Sequence, residues 1–105
     1  MDKKTPLPAG IEETARLARA LSHPVRIFIL TRLSQMNTCC YSGDLVEELP
    51  VGRSTLSAHL KELKMAGLIQ GEIEPPYIKY CLNRPNWEKA RLLFRQLFED
   101  SSPSH

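Results

Sequence analysis

From Arg53 to Lys64 the chain sets Arg53, Lys61 and Lys64 against one acid, Glu62, and interleaves them with Ser54, Thr55, Ser57 and Ala58. Cations of this kind release counterions from a phosphate backbone, and hydroxyls with free helix-start amides bond phosphate oxygens. Small and polar side chains also let a helix enter a major groove, where Thr55, Ser57 and Ala58 would meet base edges, with His59 at the rim. The preceding stretch, Asp44 to Glu48, carries acids and no base, so it must face away from any nucleic acid. A formal net charge of +2 decides nothing about partners; the local separation of sign does. Each residue also has a plainer reading: Ser54 as a helix cap, Lys61 and Lys64 as a solvated face, His59 as a partly buried core residue. Elsewhere no nucleophile, base and orienting group converge, so catalysis is not expected.

The elements that would position this stretch follow from apolar spacing. Residues 1–10, with Pro6, Pro8 and Gly10, read as an extended lead-in, 11–100 as one domain, and 101–105 as a disordered tail. Ile11 to Leu21 is a first amphipathic helix. Pro24 to about Ser34 is a second, capped by Ser22 and apolar round most of its circumference, as suits a central core helix. Residues 38–41 suit a brief strand, and Ser42 to Leu49 a two-turn helix ended by Pro50-Val51-Gly52. The helix opening at Ser54 presents Leu56, Leu60 and Leu63 inward and ends at Gly67. Leu68 to Glu74 and Tyr77 to Leu82 are strands flanking a Pro75-Pro76 tip. Pro85 to about Asp100 closes the chain with Trp87, Ala90, Leu93, Phe94, Leu97 and Phe98 at helical spacing. The whole is mainly α with a small β-hairpin wing: a winged helix-turn-helix with a three-helix core and a two- to three-stranded antiparallel wing. The 42% hydrophobic and 25% charged content fits one packed domain, and no apolar run reaches the ~20 residues that span a bilayer. No membrane partner is expected.

His23-Pro24-Val25-Arg26-Ile27, Gly43-Asp44-Leu45, Ser54-Thr55-Leu56-Ser57-Ala58-His59-Leu60-Lys61-Glu62-Leu63 and Ala66-Gly67-Leu68-Ile69 together resemble the ArsR family of bacterial winged-helix repressors, over roughly Leu17 to Leu82. The resemblance implies a cytoplasmic, sequence-specific transcriptional regulator, a dimeric repressor that inserts the helix from about Ser54 to Ala66 in the major groove of double-stranded DNA. It puts Ser54, Thr55, Ser57, His59 and Lys61 at DNA-contact positions, with Lys79 supporting the wing. It also implies a homodimer formed through the first and last helices, Ile11, Leu17, Trp87, Ala90, Phe94, Leu97 and Phe98 among them. The apolar stripe from Trp87 to Phe98 independently asks for a partner, although packing on its own domain would also cover it. The rival class is a winged-helix module for protein–protein binding, which would carry acids or bulky apolar groups on the outer face of residues 54–64.

Many members of the family bind metal through cysteines on the helix before the recognition helix, or through carboxylates and histidines on the last helix. Here the Ser42 to Leu49 helix has no cysteine, and the last helix has no histidine before His105. No zinc or other cofactor is therefore expected. Three cysteines, Cys39, Cys40 and Cys81, are too few and too oddly numbered for a disulfide framework and fit a reducing compartment. If the strand near residue 40 pairs with the returning wing strand, three thiolates could take a soft ion such as arsenite. Strand alternation opposes this, because neighbours Cys39 and Cys40 point to opposite faces. The remaining readings are small buried hydrophobes, or one neighbour paired with Cys81 as a redox switch, a Cys39-Cys40 bond being strained.

Overall fold

The computed structural model describes residues 7–36 and 39–99. Its elements run α1 (Ile11–Ala20), α2 (Pro24–Gln35), β1 (Cys40–Tyr41), α3 (Ser42–Glu48), α4 (Arg53–Met65), β2 (Ile69–Glu74), β3 (Tyr77–Leu82) and α5 (Arg84–Glu99). The order of types is the one the sequence implies. The lead-in and tail assigned to 1–10 and 101–105 fall largely outside the described residues.

One core joins the helices to the sheet. Leu17 and Ala20 of α1, Val25, Ile29, Leu30 and Leu33 of α2, Leu45 of α3 and Leu56, Leu60 and Leu63 of α4 meet Leu68, Ile69, Leu82 and Ala90 there. Burial at this scale contributes roughly 1.5–3 kcal/mol for each large aliphatic side chain, which is what fixes α4 to the body. The second helix is less buried than its composition suggests: Ile27 and Phe28 are exposed, and Arg26 is half-buried rather than on the open surface. Twelve residues cannot all face a core lying on one side of the helix.

Local chemistry sets the element ends. The cap of α2 is His23, whose Nδ1 accepts the Val25 amide at 3.1 Å, whereas Ser22 turns back to donate to the Arg19 carbonyl. Similarly α4 starts one residue earlier than its serine suggests: Gly52 is its N-cap, and Ser54 lies in the first turn. The C-terminus of α4 closes in a Schellman motif, with Leu68 N–H reaching the Leu63 carbonyl and Gly67 N–H the Lys64 carbonyl, at 3.1 and 2.9 Å. Gly67 has φ +83°, and a Cβ there would also press on the Asn86 amide at 3.1 Å. That tight exit turns the chain directly from α4 into β2.

The sheet has the order β1-β3-β2, antiparallel throughout, with Cys40 opposite Tyr80 and Ile69 opposite Leu82. Alternation therefore divides the thiols. Cys40 is buried and free on the core face, while Cys39 is joined to Cys81 by a disulfide with Cα atoms 4.4 Å apart. Of the readings left open by the sequence, the fold takes the pairing of one neighbour with Cys81, against the expectation of a reducing compartment: directly opposed residues of a non-hydrogen-bonded antiparallel pair stand about 4.5 Å apart, within disulfide reach. The three sulfurs do not share one site, and among the described residues no group of three or more His, Cys, Asp or Glu side chains could hold a metal ion.

Candidate nucleic-acid interface

The face of α4 that points away from the core is built by its spacing. Leu56, His59, Leu60 and Leu63 are buried at i, i+3, i+4 and i+7, which leaves Arg53, Ser54, Thr55, Ser57, Ala58, Lys61 and Lys64 exposed on the opposite side. No hydrogen bond or ion pair holds the side chains of Arg53, Lys61 and Lys64 among the described residues. Their charge is thus available to a polyanion. The one acid of the helix, Glu62, instead lines a shallow groove with Arg16, Arg19 and Arg26.

One acid of α3 is held against the body of the domain. Glu48 accepts a hydrogen bond from Arg32 of α2 at 2.6 Å, so it is neutralised against the body of the domain. Exposed pairs of this kind add little stability, and this one matters for where it leaves the negative charge.

One expected contact residue lies elsewhere, and the wing lysine is held within the sheet. His59 is only 8% exposed and its Nδ1 accepts from Arg26 Nε at 3.0 Å, so it faces the interior instead of a base edge. The reason is the i, i+3, i+4, i+7 stripe itself, in which position 59 falls between Leu56 and Leu60. Lys79 is engaged within the sheet, 3.9 Å from Glu72 and 6.0 Å from the centre of the Tyr41 ring. It braces β3 laterally. Arg26 is invisible to sequence reasoning as a partner of α4, since 33 residues separate it from His59 and no local pattern links them.

The face expected to drive self-association is also partly redrawn. Leu17 and Ala90 are buried inside the domain where α1 packs on α5, so they join the two helices of one chain. Ile11, Leu92, Leu97 and Phe98 are exposed by 50, 59, 58 and 73%. Phe94 stacks on Phe98 with centroids 6.3 Å apart. Phe94, Phe98 and Leu92, with Trp87 and Leu21, line an apolar groove of about 570 Å³ along α5. Leu92 lies outside the helical stripe that the sequence shows from Trp87 to Phe98, and only its exposure in the fold adds it to this face.

A helix-turn-helix pair, α3 and α4, followed by a two-stranded wing, with a cationic hydroxyl-bearing second helix turned outward, defines the winged-helix class of regulators. A family profile described as bacterial regulatory protein, arsR family, matches residues 23–70, from the cap of α2 to the first residues of β2. The HTH-type transcriptional regulator YgaV of Escherichia coli is 32% identical over 82 residues, covering 78% of this chain and 82% of YgaV. The HTH-type transcriptional repressor SmtB of Mycobacterium tuberculosis is 43% identical over 78 residues, 73% of this chain and 56% of SmtB. The chain therefore spans a little over half the length of SmtB. Among solved structures, an ArsR-like transcriptional regulator from Rhodococcus superposes with a TM-score of 0.68 at 26% identity, over 85% of this chain and 82% of that one. The chain belongs to the ArsR family of bacterial regulatory proteins, a family of regulators and not of enzymes.

Proposed function

We propose that this chain is a sequence-specific, DNA-binding transcriptional repressor that acts as a homodimer in the cytoplasm, with α4 lying in the major groove. The observation that carries the reading is the outer face of α4. There, three cations without partners among the described residues stand with four small or hydroxyl side chains on a helix held rigidly from behind by Leu56, Leu60 and Leu63. Arg53, Lys61 and Lys64 take phosphates, and Thr55, Ser57 and Ala58 reach base edges, with the Ser54 hydroxyl on the backbone. Kinship with YgaV and SmtB, a transcriptional regulator and a transcriptional repressor, supports the same direction. No described helix is long and apolar enough to cross a membrane.

Self-association rests on the apolar rows of α1 and α5. Exposed Leu92 and Phe98 border one groove along α5, and Leu97 beside Phe98 is exposed as well, apolar surface of the kind that marks an interaction site. A two-fold dimer would repeat α4 at a spacing of about one DNA turn, ~34–36 Å, and ask for a palindromic operator. The test is fluorescence anisotropy on the DNA upstream of the chain's own gene and on scrambled DNA, across a salt series. Tight, sequence-dependent binding that weakens steeply with salt is expected. Equal, weak binding to both duplexes, and to a randomised pool, would reject it.

A further inference from the structure

The recognition helix carries one buried polar side chain, and its partners come from two other parts of the domain. His59 Nδ1 accepts from Arg26 Nε at 3.0 Å. A second nitrogen of the same guanidinium donates to the Ala20 carbonyl, the last residue of α1, at 3.4 Å. Beside them the ring of His23 lies 4.2 Å from that of His59, tilted by 46°, with its own Nδ1 occupied by the Val25 amide. Arg26 therefore links the end of α1, the first turn of α2 and the middle of α4.

Three leucines already bury α4, and a fourth apolar residue at position 59 would bury it as well. Hydrophobic contact is non-directional, however, and leaves a helix free to rotate or slide by small amounts. A hydrogen bond from a planar, always-charged guanidinium is directional and fixes the rotation of the helix about its axis. Ala58 immediately precedes His59, Ser57 stands two residues before it, and Thr55 is one turn before it. A rotation that parted His59 from Arg26 would carry all three out of register with base edges.

We propose that Arg26 is a positioning residue for the recognition helix, acting through His59, and that DNA binding requires the neutral imidazole. The proposal rests on the DNA-binding reading above. Its chemistry is simple. Nδ1 can accept from Arg26 only while it has no proton; the imidazolium would set an N–H against an N–H and place two cations together. The surroundings oppose that charge: Arg26 from α2 and His23 from the turn before it face the ring, while the adjoining groove holds Arg16 and Arg19 from α1 with one acid, Glu62 of α4, and Arg16 is itself held by Glu13. Burial, then His23 and Arg26, hold His59 below the ordinary imidazole value of 6.5. A depressed value means the folded state favours neutral His59. Its stabilising contribution is complete above pH 6.5 and is lost as the pH falls from there through the folded value.

The sign separates this from simple electrostatics. A histidine that gained charge near phosphate would tighten DNA binding in acid; a broken clasp weakens it. Anisotropy on a duplex selected by the full chain from a randomised pool should show affinity falling as the pH drops from 7.5 to 5.5, by up to about tenfold per bound protomer, the most that a group titrating below 6.5 can give. His59→Asn keeps an acceptor at the place of Nδ1 and does not titrate, so it should bind nearly as well as wild type at pH 7.5 and lose the acid decline. Arg26→Met should be about tenfold weaker at pH 7.5 with unchanged helix content, and Arg26→Lys should restore only part of that loss. Imidazole NMR scores the clasp without DNA: His59 should titrate at higher pH in Arg26→Met than in wild type. Affinity that holds or rises in acid, an acid decline that survives in His59→Asn, or a His59 titration indifferent to Arg26 would each overturn the proposal. Absence of specific binding at every pH would instead overturn the DNA-binding reading, with the NMR result still judging the clasp.

Discussion

Two helices of this domain, α4 and α5, are amphipathic and each turns one face outward, yet the faces are opposite in kind. On α4 the outward residues are mostly cations, hydroxyls and Ala58, with Glu62 and Met65 towards one edge; on α5 they include Leu92, Leu97 and Phe98, with exposed pairs such as Arg91–Glu88 and Arg95–Glu99 at the margins. Both are anchored by an apolar stripe, α4 by fully buried Leu56, Leu60 and Leu63 and α5 by buried Ala90 with half-buried Trp87, Leu93 and Phe94. What differs is the surface each offers to a partner: α4 suits a hydrated, anionic groove, and α5 suits another apolar surface. The contrast teaches that the function of an amphipathic helix is read from the half that does not fold the protein.

If the two faces have separate tasks, damaging them should have separable effects. The double change Leu97→Asp with Phe98→Asp places carboxylates on the apolar face of α5 and should convert a dimer to monomers by light scattering. Operator affinity should fall about 100-fold or more, because the second half-site loses its effective concentration, with the folded domain intact by circular dichroism. Ser57→Glu puts a carboxylate at the centre of the α4 face and should weaken operator binding by roughly 30- to 100-fold through repulsion by the DNA. The dimer should persist. The smallest change is Lys61→Ala, expected to cost only about threefold in affinity at moderate salt. Its signature lies in the salt dependence, whose logarithmic slope should fall by about 0.9 for each phosphate no longer neutralised, twice over in a dimer. An effect of Ser57→Glu on dimerisation, or of the α5 changes on binding by an enforced dimer, would dissolve the division.

Much of this was legible because it is periodic. The α4 core stripe, the glycine that ends the helix and the proline-tipped hairpin all follow from spacing and from backbone constraints local to a few residues. What escaped was long-range or ambiguous at one residue. The Arg26–His59 bond joins positions 33 apart, and which of the two neighbouring cysteines pairs with Cys81, 42 residues beyond Cys39, depends on β-register. Gly52 rather than Ser54 caps α4, a choice that local preferences barely separate, since both residue types cap helices well. His59 is the instructive case. The residue reading set it at the rim of the groove, with a partly buried core position as the plainer alternative, and the resemblance placed it among DNA contacts; its spacing from Leu56 and Leu63 lies on the buried stripe, where the fold holds it. Leu17 and Ala90 were correctly read as apolar helix positions, but the close packing of α1 on α5 within one chain, which no single helix encodes, is what covers them.

The central claim, that the outer face of α4 reads base sequence, is tested most directly by selecting binding sites from a randomised duplex pool with the wild-type chain and with Thr55→Ala and Ser57→Ala. Wild type should select a palindromic consensus, with preference relaxed at a few symmetric positions in each variant, by about 1–3 kcal/mol per base pair, and the remaining positions unchanged. The same consensus, with the same strength at every position, from all three proteins would show that these side chains do not read the DNA.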